Sequence, residues 1–121
     1  MNRSEQQLTR LATAHGLFNL VGGLWPAVSV RAFELVFGRK TDRWLQRTTG
    51  GLLAGIGWAQ LRASAEGDWR QARRIGAVAA TTLLAIDLLY VPKGRIGKVY
   101  LADAACEAAW LAAWAVKTRN R

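Results

Sequence analysis

Apolar residues fill four long stretches of this chain, and the charged residues collect in the gaps between them. Residues 11–30 contain no Asp, Glu, Lys or Arg, and about 20 apolar residues are what a helix needs to cross the hydrocarbon of a bilayer. The second stretch, residues 48–61, is short by that measure and reaches 44–63 when Trp44 and Leu45 extend it into the interface. The third and fourth, 74–92 and 99–117, are interrupted within only by acidic residues. The runs between them, Arg39-Lys40-Thr41-Asp42-Arg43, residues 62–74 and residues 93–98, read as loops, with Pro92-Lys93-Gly94 the clearest stop signal.

One short segment stands apart. Val30, Phe33, Val36 and Phe37 share a helical face, while Arg31 and Glu34 interrupt the stretch. It is either a separate helix lying in a membrane interface or a continuation of the first helix past Pro26, which kinks a membrane helix without forbidding it. The predicted fold is therefore all-α: one domain over residues 1–121, a four-helix transmembrane bundle, with or without a short interfacial helix between the first two spans. A bundle in water would show a polar face on each helix. Residues 11–30 and 75–89 lack one, apart from His15, Asn19, a few hydroxyls and Asp87.

Composition alone would suit a soluble protein, with 51% hydrophobic and 21% charged residues, so the clustering of charge decides the class. At 121 residues the chain is too short for two ordinary domains. The net charge of +9 does not point to nucleic acid, because the basic residues sit at the ends of apolar segments, where lipid headgroups are the natural partners. Integration in a membrane is the expected location. Orientation is not set by charge. With four crossings, Arg3, Arg10, Arg62, Arg70, Arg73, Arg74, Lys117, Arg119 and Arg121 share one side; Arg31, Arg39, Lys40, Arg43, Arg47, Lys93, Arg95 and Lys98 share the other. Nine against eight gives the positive-inside rule almost nothing to act on. No small-x-small cleavage site follows the first apolar run, so a signal peptide is not expected. The single Cys106 excludes an intramolecular disulfide.

The chemistry lies in the acids. A carboxylate at the centre of a bilayer costs about 2.5 to 3.5 kcal/mol on insertion scales, so one that remains there faces protein or a polar cavity. Asp87 lies within the third stretch, and Asp103 and Glu107 lie one turn apart in the fourth. Asp103, Glu107, Trp110 and Trp114 recur at spacings of four, three and four, which places them on one narrow stripe of a helix. Two carboxylates so close repel when both are ionised, which favours a proton held between them. Such a pair can carry protons, bind a cation or act as acid and base; alternatively each acid pairs with a separate polar partner on another helix. Tyr90, three residues after Asp87, is placed to share its interior face and offers a hydroxyl.

His15 and Asn19 form a stripe on the first helix with Gly22 and Pro26, suited to interhelical hydrogen bonding or to accepting a proton from an acid. One histidine makes no metal motif, and no cofactor or metal is expected. Gly51 and Gly55 form a GxxxG continued by Trp58 and Arg62, a pattern that lets two backbones approach within the chain or across a homodimer. Trp25, Trp44 and Trp69 read as interface anchors; Trp58, Trp110 and Trp114 read as interior. Cys106 reads as a buried, inert thiol. No nucleophile triad, P-loop, dinucleotide fingerprint or metalloprotease motif is present.

Trp25-Pro26, Phe33-Glu34, Gly38-Arg39-Lys40-Thr41-Asp42-Arg43-Trp44-Leu45, Thr49-Gly50, Asp87, Tyr90, Gly94-Arg95-Ile96 and Tyr100-Leu101-Ala102-Asp103 together resemble a class of short, uncharacterised bacterial four-helix membrane proteins. The resemblance implies that architecture and a special role for the polar connection between residues 33 and 44, where Glu34, Lys40 and Asp42 are interfacial candidates; it implies no activity. The expected function is an acidic intramembrane pocket built from Asp87, Asp103, Glu107, Tyr90, His15 and Asn19 that binds or moves a small apolar or cationic molecule, a lipid or a proton. The alternatives are an intramembrane enzyme using the paired carboxylates on an apolar substrate, and an accessory subunit of a membrane complex.

Overall fold

The computed structural model describes residues 2–38 and 42–119. These form five helices and, among the described residues, no strand: α1 (Arg3–Val28), α2 (Val30–Phe37), α3 (Arg43–Ala65), α4 (Trp69–Tyr90) and α5 (Tyr100–Arg119). The all-α expectation holds, and α2 is a helix of its own. α1 runs through Pro26 and breaks only at Ser29, whose extended backbone ends one helix while its hydroxyl accepts the Ala32 N–H at 3.2 Å to begin the next. The two axes meet at 109°. α2 cannot therefore be an extension of the first segment.

α1 starts earlier than its apolar run, because Asn2 caps it by accepting the Glu5 N–H at 2.8 Å, and Leu8 and Ala12 are fully buried. The expected loop at 62–74 shrinks to a turn around Gly67, whose φ of 76° lies in the left-handed region that favours glycine. α3 and α4 stay helical through the charged residues on either side. What holds them is a small apolar core of Leu8, Ala12, Ala63, Trp69, Ala72 and Trp114 at this end of the bundle. Trp69 is thus a core residue rather than an interface anchor. Asp68 caps α4 through the Gln71 N–H.

α1 and α3 pack closest. The stripe that brings them together is Gly50, Ala54 and Gly57, all buried, against Gly16 and Gly23 of α1. A Cβ on Gly57 would lie 2.6 Å from the Gly16 carbonyl oxygen, and one on Gly50 would lie 2.6 Å from that of Gly23. The backbones themselves are in contact, so only glycine fits. The GxxxG of Gly51 and Gly55 is not this interface: both are exposed, with nothing within 4 Å of an added Cβ. Trp58, 60% exposed, shares their outward face.

At about 1.5 Å per residue, α1, α3, α4 and α5 with 26, 23, 22 and 20 residues are each long enough for the roughly 30 Å of a hydrocarbon core. Among the described residues, however, no single helix is both long and apolar enough to cross a membrane; only the bent pair of α1 and α2 meets that standard, by length and composition. The arginines of α3 and α4, and Asp103, Glu107, Tyr100, Trp110 and Trp114 of α5, lower the mean hydropathy of those helices.

Candidate functional site

A cavity of about 780 Å³ opens in the half of the bundle away from the Leu8 core, with walls from all five helices. Most of its surface is apolar: Leu17 and Val21 from α1, Leu53 from α3, Leu83 and Ile86 from α4, Ile96 from the α4–α5 connection. Three acids line it, Asp87 from α4 and Asp103 and Glu107 from α5. Pairing of α4 with α5 sets Asp87 in the electrostatic field of Asp103, which acts on Glu107 as well. Asp87 is 3% exposed and Glu107 1% exposed. Among the described residues no Lys, Arg or His forms an ion pair with any of the three. Asp87 Oδ2 and both carboxyl oxygens of Glu107 are buried without a hydrogen-bond partner. Ionised carboxylates only accept, so the acids cannot satisfy one another without a proton or an added donor.

Part of the cavity lining is aromatic. Phe33 and Phe37, four residues apart on α2, stack at 4.5 Å, and Trp25 of α1 meets both edge-on at 5.3 and 5.6 Å. Tyr100 contacts Phe37 at 4.9 Å, lines the cavity and lies in the field of Asp87 and Asp103. α2 is tied down by an ion pair between Glu34 and Arg43 of α3 at 3.0 Å. Cys106 is exposed rather than buried, and it too lines the cavity.

The other expected site residues lie elsewhere. Tyr90 does not share the interior face of Asp87: at the last turn of α4 it is 37% exposed, with the Lys93 ammonium 5.4 Å over its ring. His15 and Asn19 are buried in a separate polar layer deeper in the bundle. Asn19 donates to Gln60 Oε1 at 2.7 Å, and Gln60 donates to the Ala72 carbonyl at 3.2 Å, linking α1, α3 and α4. His15 Nδ1 accepts the Trp114 indole N–H at 3.0 Å, and its ring stacks on Trp110 at 4.6 Å. With Nδ1 accepting, a neutral His15 carries its proton on Nε2, which leaves no open nitrogen to take one from the acids. Gly76 of α4 makes room for this layer, since a Cβ there would lie 2.7 Å from the imidazole. Of the interfacial candidates, Glu34 pairs with Arg43, Asp42 is an exposed residue preceding α3, and Lys40 lies outside the described residues.

Tyr100 and the Trp25/Phe33/Phe37 cluster line the cavity, and Gln60 joins the separate polar layer, without having been singled out for these places from the sequence. Gln60 had a signal: it is the one amide in the second apolar stretch and falls three residues after Gly57, on a shoulder of the packing stripe. A second cavity of about 550 Å³ between α3 and α4 holds aliphatic residues, Gln71 and Arg74 but no acid. Among the described residues no three His, Cys, Asp or Glu side chains are grouped to hold a metal ion. Comparison with protein-family models, curated proteins and solved structures finds no match.

Proposed function

We propose that this chain is a small integral membrane protein of a bacterial inner membrane that binds an amphiphilic small molecule or lipid in the acid-lined cavity. On this reading α1, α3, α4 and α5 cross the bilayer and α2 lies in the interface over the cavity.

Two features support the membrane setting. The first is an inverted distribution of polarity. Of the five largest fully buried side chains, Leu8, His15, Gln60, Glu107 and Asn19, four are polar. Val21, Leu52 and Val78, by contrast, are 63 to 68% exposed. A bundle in water places such residues the other way round. The second is a band free of basic residues. Within the helices no basic residue occurs after Arg10 of α1, between Arg47 and Arg62 of α3, after Arg74 of α4, or before Lys117 of α5. These helical runs, 11–28, 48–61, 75–90 and 100–116, have 18, 14, 16 and 17 residues, about 21 to 27 Å of helix. The outer charges thus fall at headgroup level, where long basic side chains are at home.

The observation that carries the binding function is the convergence of Asp87, Asp103 and Glu107 on one apolar cavity, with carboxyl oxygens left unpartnered. A group of that kind stays buried where a ligand or a proton completes it. Cys106, the only cysteine, reports occupancy directly. In delipidated protein, N-ethylmaleimide should label Cys106 severalfold more slowly after a total polar lipid extract is added, and Leu83→Trp, which fills the cavity, should remove that protection. A labelling rate indifferent to lipid and to Leu83→Trp would rule out a ligand in this cavity.

A further inference from the structure

Resting on the cavity-binding reading, we propose that the head of the ligand is a primary ammonium group, held by Asp87 and Glu107 beside Asp103, on an otherwise apolar body. At the acids of this cavity three buried oxygens lack donors, Asp87 Oδ2, Glu107 Oε1 and Glu107 Oε2, and a primary ammonium supplies three N–H donors and no acceptor. Its charge also meets acids that, among the described residues, no Lys, Arg or His neutralises.

Other heads match less well. An alcohol brings one donor and no charge. A quaternary ammonium brings charge without donors and is recognised by aromatic rings placed around it; here Phe33 and Phe37 stack on each other with their planes 18° apart. A guanidinium presents a flat fork suited to a single carboxylate face, whereas these oxygens come from two helices, α4 and α5. The rest of the ligand follows from the walls. Leu17, Val21, Leu53, Leu83 and Ile86 offer no polar contact, and a cavity of about 780 Å³ is of the size that encloses a drug-sized molecule. A hydrocarbon chain or ring system bearing one amine fits both parts.

Native mass spectrometry of the delipidated full-length protein tests this with four probes sharing one chain: dodecylamine, dodecyltrimethylammonium, dodecylguanidinium and dodecanol in equimolar mixture. Dodecylamine should form the dominant adduct by about tenfold or more, the worth of charge-assisted hydrogen bonds the other heads do not make. Glu107→Gln and Asp87→Asn, each checked for native helix content, should both lose that preference, so that failure of one variant to fold leaves the other to decide. A different head preferred, and lost in Leu83→Trp, overturns the ammonium assignment and keeps the cavity as a binding site. Equal adducts for all four heads, unchanged by Leu83→Trp, overturn both. Retained amine preference in folded Glu107→Gln and Asp87→Asn overturns the assignment of the head to these acids.

Discussion

Gly57→Ala is expected to destabilise the bundle by about 3 kcal/mol or more, the upper end of what overpacking a closed interface costs. Gly55→Ala, two residues away, should be neutral or stabilise by up to about 1 kcal/mol, the gain in helix propensity. The contrast follows from register. Gly57 faces α1, where an added methyl lands 2.6 Å from the Gly16 carbonyl oxygen and strikes the Leu20 backbone. Neither group is the end of a flexible side chain, so relief requires the two helices to part. Parting them would also loosen the Asn19–Gln60 hydrogen bond, which spans the same interface. Gly55 has nothing within 4 Å. Unfolding in detergent, followed by circular dichroism, checks both variants. Equal responses would mean that α1 and α3 do not meet through Gly57.

Glu107→Leu should move stability the other way, raising it by about 1 to 3 kcal/mol in the ligand-free protein, which is the cost of a buried polar group left unsatisfied. Leucine is close to glutamate in volume and meets an apolar cavity wall. A structural acid behaves differently: removing one partner of a satisfied buried pair is strongly destabilising. The same unfolding measurement therefore separates the two roles of Glu107. A gain in stability with loss of ligand marks an acid retained for binding, and a large loss of stability would mark Glu107 as a member of a hydrogen-bonded scaffold.

Much of the architecture was legible in the sequence because it is written in local patterns. The four apolar stretches became α1, α3, α4 and α5, and the Val30–Phe37 face became α2. The stripe of Asp103, Glu107, Trp110 and Trp114 was readable from spacing alone. Its use is divided: the two acids line the cavity while the two tryptophans pack around His15. Which residues meet across helices was not legible, since spacing on one helix does not say how the next one is rotated. Gly51/Gly55 and Gly50/Gly57 differ by only one or two positions, yet about 100° of helical turn per residue separates an outward face from a backbone contact. The same rotation sends Tyr90 outward and leaves Tyr100 to line the cavity. Likewise Trp58 points out and Trp69 in, against a reading based on distance from segment ends. The meeting of Asp87 with Asp103 depends on the packing of α4 against α5, a long-range fact no local pattern encodes.

A membrane setting requires an inside-out bundle, apolar faces toward lipid and acids toward protein. Electron paramagnetic resonance tests it at Leu52, near the middle of α3, and at Val21, near the middle of the 11–30 apolar stretch, two outward positions at 67 and 63% exposure. Each is replaced by cysteine in a Cys106→Ser background, spin-labelled, and reconstituted into lipid vesicles. Collisions of the label with oxygen, which concentrates in hydrocarbon, are compared with collisions with a water-soluble nickel chelate. An inside-out bundle should give oxygen-dominated relaxation at both positions. Nickel-dominated relaxation at both would place these faces in water and contradict it.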